Sequence, residues 1–426
     1  MEMKRAELLA PAGDLEKLKT AIIYGADAVY IGGEVFGMRS AAKNFSIEDM
    51  AEGVEFAHAR GKKVYVTVNI IPHNEDFKYL DEYLLELQRI GIDAIIVSDP
   101  GVISVAKRVV PEMELHLSTQ ANTTNFESAN FWYNQGIKRV VVAREMSFEE
   151  IKEIREKTPE DLEIEAFMHG AMCISYSGRC LISNYMTGRE ANKGSCAQSC
   201  RWQYYLMEEK RPGEYFPIYE DERGTFFFNS KDLCMIEHIP ELVESGIMSL
   251  KIEGRMKTAY YVATVVRAYR MALDAYYEDP ENWTYNPMWM EELKKGSHRH
   301  FTTGFYLHKP DTEDQNYESA SYVRNYDFIG VVRGHDEETG LAIVEQRNKM
   351  SVGEDIEIMA PYKETMYAKI LEMYNEDGEP IESAPHPRQI VKMKLDVPVE
   401  EDYIYERRNY GNKFRNKNLC TFRSSS

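Results

Sequence analysis

Long hydrophobic runs are missing from this 426-residue chain; the longest, such as Val140-Val141-Val142-Ala143, have the length of a strand and not of a membrane span. The segment from Met1 to Pro11 lacks the apolar core and small-residue cleavage site of a secretory signal, so a cytoplasmic protein is expected. No His-Glu-x-x-His, Gly-x-Ser-x-Gly or Walker loop occurs, and Gly178-Arg179-Cys180 has no nucleophile-elbow surroundings. Zinc and serine proteolysis therefore have no motif to stand on. Net positive charge is missing as well: 70 acidic residues outnumber 51 Lys and Arg. A net charge of −19 argues against general adhesion to nucleic acid, though not against a local basic patch.

What is present describes a folded protein: 43% apolar and 28% charged residues, in a chain long enough for two domains. Through residue 280 one unit recurs, in which a helix stops at glycine and a short apolar strand follows at once. Tyr24-Gly-Ala-Asp-Ala-Val-Tyr-Ile-Gly and Gln135-Gly-Ile-Lys-Arg-Val-Val-Val-Ala are two of four clear copies. Strands are expected at 7–12, 28–32, 63–69, 94–98, 114–119, 139–144, 163–169 and 249–253, with amphipathic helices at 14–24, 47–59, 77–90, 102–109, 126–134, 148–157, 235–244 and 259–277. Eight strands alternating with eight helices predict a (β/α)8 TIM-type barrel over residues 1–280; an open doubly wound sheet is the alternative.

One unit is abnormal. Residues 170–234 intervene between the seventh strand and its helix, where such a loop normally has two to six. Five of the six cysteines fall there: Cys173, Cys180, Cys196, Cys200 and Cys234. Clustered thiols in a chain without a secretory signal point to metal ligation or redox work. Scattered single cysteines fit an iron–sulfur cluster better than the tight pairs of structural zinc, though zinc and unliganded thiols stay open on spacing alone. Cys420 reads as incidental. Polar residues gather at the expected strand C-termini, where chemistry sits in this fold: Asn69, Ser98, Asp99, Gln120, Asn122, Arg144, Glu165, His169, Lys251, Glu253 and Arg255. Arg144 and Arg255 are candidates for holding a carboxylate, and a buried salt-bridge network is the competing account of Lys251, Glu253 and Arg255. Lys231 and Asp232 either cap the next helix or support a nearby metal ligand.

After residue 280 the pattern changes. Residues 281–327 read as an irregular connector, containing the donor-rich run Gly296-Ser-His-Arg-His-Phe-Thr-Thr-Gly304. Residues 328–400 alternate in short segments and predict a small antiparallel β-barrel. A basic tail, 401–426, interleaves Arg407, Arg408, Lys413, Arg415, Lys417 and Arg423 with Tyr410, Phe414 and Phe422. That mixture suits single-stranded RNA, or else is a solvated tail balancing an acidic body.

Five segments in order carry a resemblance: Glu7-Leu-Leu-Ala-Pro-Ala-Gly13, Glu165-Ala-Phe-Met-His-Gly-Ala-Met-Cys-Ile-Ser-Tyr-Ser-Gly-Arg-Cys-Leu-Ile-Ser183, Cys196-Ala-Gln-Ser-Cys-Arg-Trp202, Asn229-Ser-Lys-Asp-Leu-Cys234 and Ser249-Leu-Lys-Ile-Glu-Gly-Arg255. They resemble the collagenase-like peptidase family U32. The long form, with Arg211-Pro-Gly-Glu-Tyr-Phe-Pro217, is similar to its tRNA 5-hydroxyuridine hydroxylation subgroup. The resemblance implies an RNA hydroxylase with a 4Fe-4S cluster on Cys173, Cys180, Cys196 and Cys234, prephenate as possible co-substrate, and tRNA gripped by the β-barrel and tail. The role of the Cys200-type thiol varies among members. Further expectations are His169, Glu165, Lys251 and Glu253 as catalytic groups, with Arg144, Arg255, Gln120, Asn122 and Lys231 as substrate contacts. Two other readings remain: an atypical peptidase relying on His169 and Glu165, and an RNA-binding scaffold with a structural cluster.

Overall fold

A computed structural model describes residues 5–34, 36, 44–173, 175–189, 191–193, 195–201, 205–206, 216–217, 230–309 and 322–409. Strands β1 (Glu7–Pro11), β2 (Ala28–Gly32), β3 (Lys63–Val68), β4 (Ala94–Val97), β5 (Glu114–Leu117), β6 (Arg139–Val141) and β7 (Glu163–Ala171) pair in parallel in that order. Two-residue strands β8 (Tyr205–Leu206) and β9 (Phe216–Pro217) form a separate hairpin in the insertion, and β10 (Asp232–Cys234) closes it. Strand β11 (Ser249–Ile252) pairs in parallel with both β1 and β7, which shuts the expected eight-stranded barrel.

Around it run α1 (Leu15–Ile23), α2 (Ile47–His58), α3 (Leu80–Arg89), α4 (Pro100–Val109), α5 (Phe126–Asn134) and α6 (Phe148–Glu156). The short α7 (Ile182–Thr187) lies in the insertion, and α8 (Ile239–Glu244) and α9 (Ala259–Glu278) complete the ring. The repeated stop is real: Gly25, Gly91, Gly136 and Gly246 all hold positive φ, which lets each helix end and its chain turn directly into a strand. Side-chain caps from Asp14, Ser46, Asp99, Asn125, Ser147 and Thr258 begin six of these helices.

Two expectations near the insertion change. The helix expected at 235–244 starts only at Ile239, because residues 232–234 form β10, antiparallel to the overlong end of β7, with Cys234 opposite His169. Asp232 is accordingly not a helix cap. Its carboxylate accepts from the Arg299 backbone N–H at 3.0 Å and pairs with the Arg299 guanidinium at 3.2 Å, both groups buried.

The connector is also more regular than expected: α10 (Pro287–Leu293) packs on α9, and β12 (Phe301–Thr302) adds in parallel to β10. Beyond it, β13 (Tyr326–His335), β14 (Ala342–Gln346), β16 (Asp355–Met359), β17 (Met366–Tyr374), β19 (Ile390–Leu395) and β20 (Ile404–Arg408) close a six-stranded antiparallel barrel, with β15 (Met350–Ser351) and β18 (Ser383–Ala384) paired beside it. Its last strand comes from the expected tail. Tyr405 and Glu406 are fully buried there, and Arg407 is paired with Glu354 at 3.0 Å. Arg408 ends that strand and is exposed; the tail candidates after it, Cys420, and most of 211–217 lie outside the described residues.

The two barrels share a polar seam. Tyr24 Oη donates to the carbonyls of Met359 and Asp402, and Lys295 pairs with Glu292, Glu357 and Glu406 at 2.8–3.0 Å. Arg267 pairs with Glu292 and donates to the Lys363 carbonyl. A seam of buried groups so matched resists sliding, because each broken contact strands a charge.

Candidate functional site

The C-terminal ends of the strands open into a cavity of about 290 Å³. One side is cationic. Arg144, Lys251, Arg255 and Lys257 all line it, against a single carboxylate, Glu253. Arg255 is only 3% exposed, and its guanidinium donates to Thr67 Oγ1 at 2.8 Å. It fits because residue 32 is glycine: a Cβ there would stand 2.3 Å from the Arg255 guanidinium. Arg144 donates to the Ala171 carbonyl at 2.7 Å, faces Glu253 at 3.6 Å, and lies 3.9 Å from the Phe167 ring centroid. Its Nε is buried without a hydrogen-bond partner, a donor that a bound anion would satisfy.

Lys251 comes up from the barrel floor. Its ammonium sits 2.6 Å from Glu165 and 4.4 Å from the Tyr30 ring centroid. Glu165 is wholly buried and does not line the cavity. Burial alone would raise its pKa, but Lys251 and Arg139 outweigh that and hold it at about 2. It is a fixed anion that positions Lys251, not a general base.

His169 is likewise turned away. It is buried against Tyr261, Tyr269 and Phe301, with Nδ1 3.2 Å from Tyr269 Oη, and burial pulls its pKa down to about 3. The cavity wall does not include it.

The opposite side of the cavity is neutral and polar. Asn69, Ser118, Thr119 and Gln120 line it; Asn69 Nδ2 donates to Ser118 Oγ at 3.0 Å, while its Oδ1 is buried without a partner. Asn122, expected beside Gln120, is not on the wall: it ends the turn after β5 in the left-handed region, its amide donating back to the Gln120 carbonyl. Lys231 is not on the wall either.

Four thiols close the cavity: Cys173, Cys180, Cys196 and Cys200. None of them is in a disulfide, and the Gln198 backbone N–H donates to Cys196 Sγ at 3.3 Å. The donor set suits a thiolate-ligated cluster. Among the described residues no three His, Cys, Asp or Glu groups converge on one point, so the thiols share a wall without meeting. Cys234 is not on that wall. It is buried, takes a hydrogen bond from Tyr269 Oη at 3.7 Å, and burial pushes its thiol up to about 12.

Sequence reasoning missed Tyr30, Thr67, Lys257 and Tyr322 on the wall. Lys257 and Arg299 lie 3.8 and 4.1 Å from the Tyr322 ring centroid, which brings the donor-rich run after α10 to the cavity mouth. The position of Lys257, two residues past Arg255 in the loop after β11, was the available signal for it.

Residues 13–316 match the model of Peptidase family U32, and residues 324–405 that of the Peptidase family U32 C-terminal domain. The chain is 49% identical over 396 residues to tRNA hydroxylation protein P1 of Bacillus subtilis (strain 168), covering 93% of each chain. It is 38% identical over 448 residues to tRNA hydroxylation protein P of Escherichia coli (strain K12), covering 96% of this chain and 98% of that one. A third relative, the 23S rRNA 5-hydroxycytidine C2501 synthase of E. coli, is 41% identical over 65% of this chain and 40% of its own length. With both barrels matched in order, the chain belongs to peptidase family U32.

Proposed function

We propose that this chain is an iron–sulfur-dependent RNA hydroxylase acting on tRNA, which converts wobble uridine to 5-hydroxyuridine in a reaction linked to a small dicarboxylate of the prephenate type. One observation carries the reading: four cysteine thiols and four cationic side chains line a single cavity at the catalytic end of a TIM-type barrel. The two full-length relatives, named for tRNA hydroxylation, point the same way.

In this reading Arg144 and Arg255 each hold a carboxylate, since both guanidiniums are fixed by packing before any ligand arrives. Lys251, anchored by Glu165, supplies a further positive charge at the floor. Glu253 keeps Arg144 aligned across the mouth. Asn69 and Gln120 face the other end of the ligand with neutral donors and acceptors. Cys173, Cys180 and Cys196 would hold a 4Fe-4S cluster, which when bound would supply one-electron transfer at the cavity wall. The fourth thiol is Cys234 by resemblance and Cys200 by cavity position; iron and sulfide content of anaerobically purified Cys200→Ser and Cys234→Ser proteins separates them. A peptidase needs a base at the cavity, and neither His169 nor Glu165 reaches it.

The test is mass spectrometry of tRNA nucleosides from a deletion strain. Loss of 5-hydroxyuridine, restored by the wild-type chain but not by Arg255→Ala, is expected. Intact 5-hydroxyuridine in the deletion strain overturns the function; full restoration by Arg255→Ala overturns the carboxylate role alone.

A further inference from the structure

The sequence suggested that RNA binds through the C-terminal barrel and tail. The described face of that barrel is poorly suited to it. Lys363, Lys369, Lys392, Lys394 and Arg407 each stand within ion-pair distance of a carboxylate, leaving little unbalanced positive charge for phosphate.

The first half of the thiol-bearing insertion differs in its charge. From residue 171 to 201 the chain carries Arg179, Arg189, Lys193 and Arg201 against one acidic residue, Glu190, in a protein whose net charge is −19. It also exposes apolar and aromatic side chains that a folded protein ordinarily covers. Tyr185 is 88% exposed, Leu181 69% and Tyr176 46%. Leu181 and Tyr185 are four apart and lie on one side of α7, and Arg189 follows the left-handed Gly188 that ends the helix. Tyr176 and Arg179 belong to the turn just before it, closed by the Arg179 N–H to the Tyr176 carbonyl.

Behind this surface lies a notch of about 180 Å³, lined by Ile71, His73, Cys180, Leu181, Asn184 and Asn192 among others. Cys180 and Asn192 line both the notch and the main cavity. The notch thus connects an exposed cationic and aromatic face to the thiols. Its asparagines and histidine offer hydrogen-bond partners for the edge of a base, and its apolar walls suit a ring.

We propose that a single-stranded RNA loop docks on the insertion, with bases stacked on Tyr176 and Tyr185, phosphates near Arg179 and Arg189, and one base turned into the notch beside Cys180. This rests on the hydroxylase reading and names where its polymer substrate binds. Stacking platforms flanked by guanidiniums are the general solution for unpaired nucleic acid, and a base must leave its stack for chemistry to reach it.

The experiment uses the full-length protein purified anaerobically and a fluorescent tRNA anticodon stem-loop. In Tyr185→Ala/Arg189→Ala the dissociation constant is expected to rise at least ~10-fold, with a shallower salt dependence, unchanged iron content and an unchanged melting temperature. Tyr185→Phe, which keeps the ring, is expected to bind as wild type does. A double variant with wild-type affinity overturns the proposal, as does one that loses only a protein partner while holding RNA normally. Equal weakening by Lys363→Ala/Lys394→Ala returns the docking site to the C-terminal barrel and overturns it too. If the wild-type chain neither binds the stem-loop nor restores 5-hydroxyuridine in cells, the hydroxylase reading falls, an outcome distinct from a silent double variant on an active protein.

Discussion

The barrel holds two groups of buried charge, one inside and one at the mouth, and they are built differently. Inside, Arg139 meets Glu7 at 2.6 Å, Glu163 at 2.7 Å and Glu165 at 3.2 Å, and Glu165 also takes Lys251 at 2.6 Å. Two cations there face three carboxylates, and every charge has its partner within the chain. At the mouth Arg144, Arg255, Lys257 and Glu253 line a cavity open to a ligand, and Arg144 keeps a buried donor without a partner among the described residues. A self-compensated network is what folding requires of charges sealed from water. A buried donor left over, such as the Arg144 Nε, is satisfied only where water or a ligand completes it. The same residue types therefore serve architecture in one place and recognition a few ångströms above.

The sharpest way to break that contrast is to remove one cation from each. Arg139→Ala takes the guanidinium from Glu7 and Glu163 and leaves the fully buried Glu165 with Lys251 alone, and is expected to cost about 3–5 kcal/mol in denaturant unfolding. Arg255→Ala takes a cation from the wall of the ligand cavity. Its larger effect is expected on ligand linkage: a dicarboxylate at 100 times its dissociation constant should stabilise the wild type by ~2.7 kcal/mol and the variant by much less. Equal destabilisation by the two substitutions, with ligand stabilisation retained in Arg255→Ala, would erase the distinction.

The sequence made the barrel legible because the strands are short, largely buried apolar runs and four of the helices end on a glycine with positive φ. Arg144, Arg255, Gln120 and Glu253 were legible for the same reason, since strand ends in this fold face the site. What failed was side-chain direction. His169 and Glu165 lie near that end of β7, but the strand runs on to Ala171 and pairs with β10. That extra pairing roofs His169 with Phe301 and Tyr269, which periodicity cannot reveal. Strand β20 was missed because Glu406, Arg407 and Arg408 look solvated. Glu406 is in fact buried against Lys295 of the connector and Tyr260 of α9, a compensation visible only in three dimensions.

The two carboxyl-end residues that left the site also separate by pH. His169 has a folded pKa near 3, below the ~6.5 of an unfolded histidine, so between those values the unfolded chain binds the extra proton. Its contribution to stability is complete above about pH 6.5 and is lost as pH falls, at up to ~1.4 kcal/mol per pH unit. Glu165, held at about 2, begins to act only below the ~4.3 of an unfolded glutamate. Urea midpoints at pH 7, 6 and 5 should therefore decline in the wild type and decline less in His169→Phe. An unchanged slope in that variant would place His169 in contact with water after all.

Asn122 gives the smallest and most local test of the boundary between framework and site. It holds φ 55° and ψ 49° at the end of the turn after β5, one of six non-glycine residues at positive φ among those described. Asparagine tolerates that conformation because its short amide bonds locally, here to the Gln120 carbonyl at 2.8 Å. If backbone shape is its whole task, Asn122→Gly should change stability by no more than ~0.5 kcal/mol and leave tRNA hydroxylation intact. Asn122→Ala should cost about 1 kcal/mol, since its Cβ meets the following carbonyl without the amide's compensation. The reverse pattern, with both variants stable and both inactive, would move Asn122 into the ligand site beside Gln120, where its unpartnered Oδ1 would then have a use.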